Sequence, residues 1–295
     1  MKFNKALSIT SIAAVVFCVG PAMANAHSET EIRFAGQVNG QPFECGKSYT
    51  NIGTTNSTIT PSDFRMFISD VHLIDAKGNA VALELIQDKT WQVANVALID
   101  FEDGTSHCRN GTGPVNLAVR GTVAPGEYKG IEFTLGVPFD LNHGNPTIAP
   151  APLSSTAMFW NWQAGYKFLK FDTATSGRPL TTDAPDRQGG GSASGFSVHL
   201  GSTGCASESR TTPPSSCKNP NRVTVRFDSF DPAKDVVIAD IGAVLANANV
   251  DVNAPETPVG CMSFPNDPDC PPIMRAFGLP YGGQPGGVQQ FFRKQ

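Results

Sequence analysis

The stretch Arg222-Val223-Thr224-Val225-Arg226-Phe227 decides the fold class. Val223, Val225 and Phe227 alternate with Thr224, Arg226 and the following Asp228, which is the period of a strand with one face on a core and the other in water. Shorter runs of the same kind recur at 32–38, 67–74, 81–85, 115–119, 131–135, 196–200 and 236–241. Turn signals such as Lys77-Gly78-Asn79, Ala124-Pro125-Gly126 and Asn219-Pro220 separate them. With 29 Gly and 23 Pro in 295 residues, the composition favours many turns over long helices. Many short strands with this punctuation argue for a sandwich or barrel, and the expectation is an all-β, disulfide-stapled β-sandwich with long loops and few short helices. Short helical turns are expected near 154–166 and 242–247.

Residues 1–26 read as a secretory signal. Lys2 and Lys5 precede an apolar run from Ala6 to about Val19, and Ala24-Asn25-Ala26 fits a cleavage site that leaves His27 first. The remainder, 27–295, is expected to be one exported domain with an inserted loop at 173–194 and a Pro/Gly-rich C-terminal segment at 253–295. Cys18 leaves with the signal, and six cysteines remain. An even count in an exported chain favours disulfides over thiolate metal ligands. Short loops suggest Cys205 with Cys217 and Cys261 with Cys270, leaving Cys45 for Cys108. Loss of the two signal lysines leaves 20 basic against 26 acidic side chains, a balance that argues against a nucleic-acid partner.

Motifs for hydrolase chemistry are absent: there is no G-x-S-x-G, H-E-x-x-H, phosphate-binding glycine loop or C-x-x-C-H. The five histidines therefore carry most of the chemical interest. His199 alternates with Phe196, Val198 and Leu200, so the pleat turns it away from the larger apolar groups toward solvent, a second layer or a site. His143 lies in Asn142-His143-Gly144-Asn145-Pro146, where an imidazole either satisfies the loop backbone or serves as a ligand. His72 points outward if Val71 and Leu73 face the core, His107 abuts Cys108, and His27 would offer a terminal amine with its imidazole. Imidazoles suit copper and zinc, and Met158 would favour Cu(I) if it lay nearby. Between these histidines, Met158-Phe159-Trp160-Asn161-Trp162-Gln163-Ala164-Gly165-Tyr166-Lys167-Phe168 holds two of the three Trp. If that segment is extended, Trp160 and Trp162 face the same way. As an alternative to metal chemistry, Trp160, Trp162 and Tyr166 would form a sugar-stacking platform on an adhesion or carbohydrate-binding protein.

Four separated motifs in order, around His143, Trp160 and Trp162, Val198-His199-Leu200-Gly201-Ser202-Thr203-Gly204-Cys205 and Gly260-Cys261-Met262-Ser263, resemble the MbnP family, the metallo-mystery pair four-Cys motif proteins. Ile32-Arg33-Phe34 and residues 96–102 extend the likeness over nearly the whole exported chain. The resemblance implies a periplasmic copper-binding protein that is the substrate of a MauG-like dihaem peroxidase, MbnH, rather than an enzyme. It implies a Trp oxidised to kynurenine, which joins His in a copper site. Carried over, His143 and His199 are the expected metal ligands, and Trp160 or Trp162 is the expected modified residue, with Trp91 as fallback. His27, His72 and Met158 are secondary metal candidates.

Overall fold

The computed structural model describes residues 1–2, 27–109, 111–177, 195–209 and 211–295. Most of the expected signal segment, 3–26, and most of the expected loop, 178–194, lie outside the described residues. Among the described residues the fold is all-β, with two main sheets and three short α-helices. Among the described residues no helix is long and apolar enough to cross a membrane.

The larger, ten-stranded sheet is organised by a strand of 19 residues, Ser57–Asp75. Along one side its first half pairs with Gly165–Thr175 and its second half with Tyr128–Leu135. Val96–Asp100 pairs along the other side. The change of neighbour falls between Met66 and Ile68, and within the second pairing the ladder shifts register where Asp70 adopts a positive φ of 51°, a bulge that bends the strand. The smaller, six-stranded sheet centres on Ser28–Val38, which pairs antiparallel with Ala118–Val123 and parallel with Val237–Asp240. Phe292–Lys294 completes that sheet against Val237–Asp240.

Aromatic side chains from both sheets fill the space between them. Phe34 meets Phe133 edge-on at 5.6 Å, and Phe133 meets Phe292 at 5.1 Å. Phe64 lies 4.8 Å from Phe101 and 6.3 Å from Phe291. Each fully buried Phe contributes about 1.5–3 kcal/mol of transfer free energy, so this layer is the main cohesive element of the sandwich. The alternation at 222–227 emerges as strand Val223–Phe227, with Val223 and Val225 buried and Thr224 and Arg226 exposed.

The structure corrects one segment boundary. The strand Gly165–Thr175 runs through 173–175, which were expected to begin the inserted loop. The Pro/Gly-rich 253–295 segment contributes helix Cys270–Ala276 and strand Phe292–Lys294, and it buries Ile273, Met274, Phe277 and Phe291. Pro271 and Pro272 occupy the first turn of the helix, where a missing N–H costs nothing. All three expected disulfides are present: Cys45–Cys108, Cys205–Cys217 and Cys261–Cys270.

Candidate metal centre

Strand Phe196–Gly201 is buried on both faces. Phe196, Val198 and Leu200 enter the core, His199 shares the opposite face with Lys170, and the outer edge of the strand meets the 260–263 segment. That segment runs alongside: Cys261 N–H donates to the Ser197 carbonyl at 2.9 Å, and His199 N–H donates to the Cys261 carbonyl at 2.9 Å. Ser263 Oγ–H donates to the His199 carbonyl at 2.9 Å. The approach needs Gly260, whose φ is +71° and whose Cβ, if present, would lie 2.2 Å from the Ser197 carbonyl oxygen. His199 has no exposed surface.

Antiparallel pairing sets His199 opposite Lys170, and Asp172 follows two residues later on the same face. His199 Nε2–H donates to Asp172 Oδ1 at 2.8 Å, which leaves the lone pair on Nδ1. His199 Nδ1 is buried and, among the described residues, has no hydrogen-bond partner. The indole of Trp160, from strand Phe159–Asn161, lies 6.4 Å from this imidazole at a tilt of 49°, and Trp160 Nε1 is also buried without a hydrogen-bond partner among the described residues. A buried unpaired polar atom costs about 1–3 kcal/mol, so two in adjoining rings call for a ligand, an ion or a water. The indole reaches this position over Gly201, where a Cβ would come 2.4 Å from Trp160 Cζ3. Phe264, 38 % exposed, also lies against the indole, with centroids 5.8 Å apart.

Behind His199 runs a chain of charges, half-buried at Asp172 and Lys170 and buried at Asp63, Arg65 and Glu102. Lys170 Nζ lies 2.9 Å from Asp172 Oδ2 and also bonds Asp63, which Arg65 holds through Nε at 2.9 Å, and Arg65 reaches Glu102 at 3.7 Å. Burial opposes ionisation of Asp172, but Lys170 and His199 outweigh it and hold its carboxyl well below the usual range. Burial lowers the His199 pKa, against the pull of Asp172, so the ring is neutral at neutral pH and fit to be a ligand.

His143 follows the short helix Phe139–Asn142. Its Nδ1–H donates to the Trp162 carbonyl at 3.0 Å, so it does satisfy a loop backbone. Its Nε2 accepts from Asn142 Nδ2 at 3.1 Å and lies 3.6 Å from Cys217 Sγ. Burial lowers its pKa. Among the described residues, no hydrogen bond, ion pair or ring contact links His143 with His199.

The other candidates separate. The strand ends at Asn161, so Trp162 sits in a turn and the alternation that would align it with Trp160 stops short of it. Trp91 is partly buried against the core and Met158 lies fully within it. His72 Nδ1–H donates to the Asp70 carbonyl at 2.8 Å, and His27 approaches Glu84 at 3.8 Å on the surface. The sugar platform loses a member, since Tyr166 is wholly buried with its hydroxyl on the Leu153 carbonyl. Asp172, Lys170 and Phe264 escaped notice in the sequence. The same-face spacing of Lys170 and Asp172, and of Asp63 and Arg65, was the available clue, because charges on a strand ordinarily face water.

The fold and this cluster define a disulfide-stapled β-sandwich with an aromatic ring and an imidazole enclosed at one sheet edge. The MbnP family model matches residues 27–263, and the chain belongs to the MbnP family. It is similar to the solved structure of MbnP from Methylosinus trichosporium, at 31% sequence identity and a TM-score of 0.76, covering 91% of this chain and 98% of that one. Among curated proteins none matches.

Proposed function

We propose that this chain is an exported, periplasmic copper-binding protein, the substrate of a MauG-like dihaem peroxidase (MbnH-like) rather than an enzyme. Trp160 is the ring that becomes kynurenine, and His199 Nδ1 is a protein ligand to the copper. The observation that carries this reading is the pair of buried nitrogens without partners, Trp160 Nε1 and His199 Nδ1, in adjoining rings. An indole nitrogen donates a hydrogen bond and offers no lone pair to a metal. Two equivalents of peroxide cleave the indole C2–C3 bond and release two waters. Hydrolysis of the formyl group then leaves an aromatic amine where Nε1 stood, with a ketone beside it. Both nitrogens are then donors, and Asp172 orients the imidazole from behind, an arrangement common to metal-bound histidines. Copper, once held, would be bound for acquisition, storage or handling.

His143, the second imidazole supplied by the family likeness, enters a different cluster in this proposal because its ring nitrogens face Trp162, Asn142 and Cys217. Treatment with the partner peroxidase and peroxide should add one oxygen and remove one carbon from the intact mass, with tandem spectra placing the change at Trp160. In the oxidised protein His199→Ala should weaken copper binding at least about tenfold, while His143→Ala should change it little. An unchanged mass with an active partner, or full affinity in His199→Ala, refutes the reading.

A further inference from the structure

Cys205 and Cys217 face each other across the two-stranded ribbon of Thr203–Cys205 and Cys217–Asn219. Their two sulfurs and a ring nitrogen of His143 all lie within 4.8 Å of one another. His143 and Cys205 are buried and Cys217 is half-buried, so a thiol reagent has a route to one sulfur. Because His143 Nδ1–H is committed to the Trp162 carbonyl, the Nε2 lone pair is the one beside Cys217 Sγ. In the disulfide both sulfurs are neutral and poor ligands, whereas two thiolates with one imidazole make a soft donor set.

We propose that reduction of the Cys205–Cys217 disulfide opens a second metal site, Cys205–Cys217–His143, that takes Cu(I) independently of kynurenine. The reductant is a dithiol. It gives up two electrons and two protons as it closes to its own disulfide, the Cys205–Cys217 bond breaks, and both residues become thiols. Metal binding then displaces the two thiol protons. The ribbon stays in place without the S–S bond, since Thr203 still pairs with Asn219 and Asn219 Nδ2–H donates to Thr203 Oγ1 at 3.2 Å. Asn221 Nδ2–H on the Gly201 carbonyl at 2.8 Å and Ser202 Oγ–H on the Pro220 carbonyl at 3.0 Å anchor its base. On metal binding Asn142 gives up its bond to Nε2 and remains fixed by accepting from Tyr166 N–H at 2.9 Å. Three protein donors satisfy a soft monovalent ion, while structural zinc sites ask for four.

The test uses the full exported chain with Trp160 unmodified, so that no kynurenine contributes. A limiting dithiol treatment, mapped by alkylation and tandem mass spectrometry, identifies the opened disulfide, and circular dichroism follows the fold. After anaerobic removal of the dithiol, Cu(I) is titrated against a chromophoric Cu(I) chelator. The expected result is one further equivalent of bound Cu(I) with thiolate-to-copper absorption in the near ultraviolet. That equivalent should bind at least about tenfold more weakly in His143→Ala and be lost in Cys217→Ser. Three results overturn the proposal: no gain in Cu(I) after mapped reduction at this pair, an equal gain in Cys217→Ser, or a bond that stays closed until the protein unfolds. Copper binding by the disulfide-intact, Trp160-oxidised protein is a separate measurement, so either reading can fail alone.

Discussion

Asp100 shows how strongly burial acts on single side chains in this molecule. Burial first, and the negative charge of Glu102 second, push its carboxyl up from 3.8 to about 7. Between those two values the folded protein holds a proton that the unfolded chain releases, so this group's stabilisation is complete below 3.8 and is lost as pH rises to about 7. The slope is at most about 1.4 kcal/mol per pH unit. Asp100→Asn keeps an acceptor for the Glu102 N–H, which Asp100 Oδ1 now binds at 3.1 Å, and removes the titration. Urea unfolding at a series of pH values should therefore give a flatter stability curve over that interval, and an unchanged slope would show that Asp100 is ionised throughout. The sequence offered little warning of this. Asp63, Arg65, Asp100, Lys170 and Asp172 stand where strand patterning expects solvent, and only the folded packing pairs them. His199 was more legible, because the pleat set it opposite Phe196, Val198 and Leu200, although Asp172, the group it bonds, lies on another strand.

At the scale of elements, alternation exposed the strands with one wet face and hid those without. Val223–Phe227 follows its pattern, whereas Ser57–Asp75 is buried on both faces through its middle, Phe64 to Ile68, and shows no period of two there. Trp160 and Trp162 failed as a same-face pair for a related reason, since a three-residue strand gives way to a turn between them. The C-terminal strand Phe292–Lys294 was invisible, being too short to carry a period, yet it and its neighbour place Phe291 and Phe292 between the sheets. Removing residues 288–295 deletes both rings. At about 3–5 kcal/mol for each buried Phe lost, the truncated chain should have little net stability. A cooperative thermal transition near that of the full chain would contradict this.

At the scale of the molecule, three covalent links tie the sandwich together, and they differ in reach. Cys261–Cys270 and Cys205–Cys217 close separations of 9 and 12 residues, whereas Cys45–Cys108 closes 63. The chain-entropy view assigns the long loop about 4 kcal/mol, so replacing both Cys45 and Cys108 by Ala should lower the unfolding free energy by up to that amount, measured by urea titration. The parallel pairing of Phe34 with Val237, followed by that of Val237 with Lys294, has a further consequence. If the chain crosses a membrane with its N-terminus leading, its first strand emerges long before Val237–Asp240, and that strand before Phe292–Lys294. The sheet cannot close until the last few residues arrive. Assembly then becomes a late event that follows translocation, and during that delay a holding chaperone would have an open edge to grip.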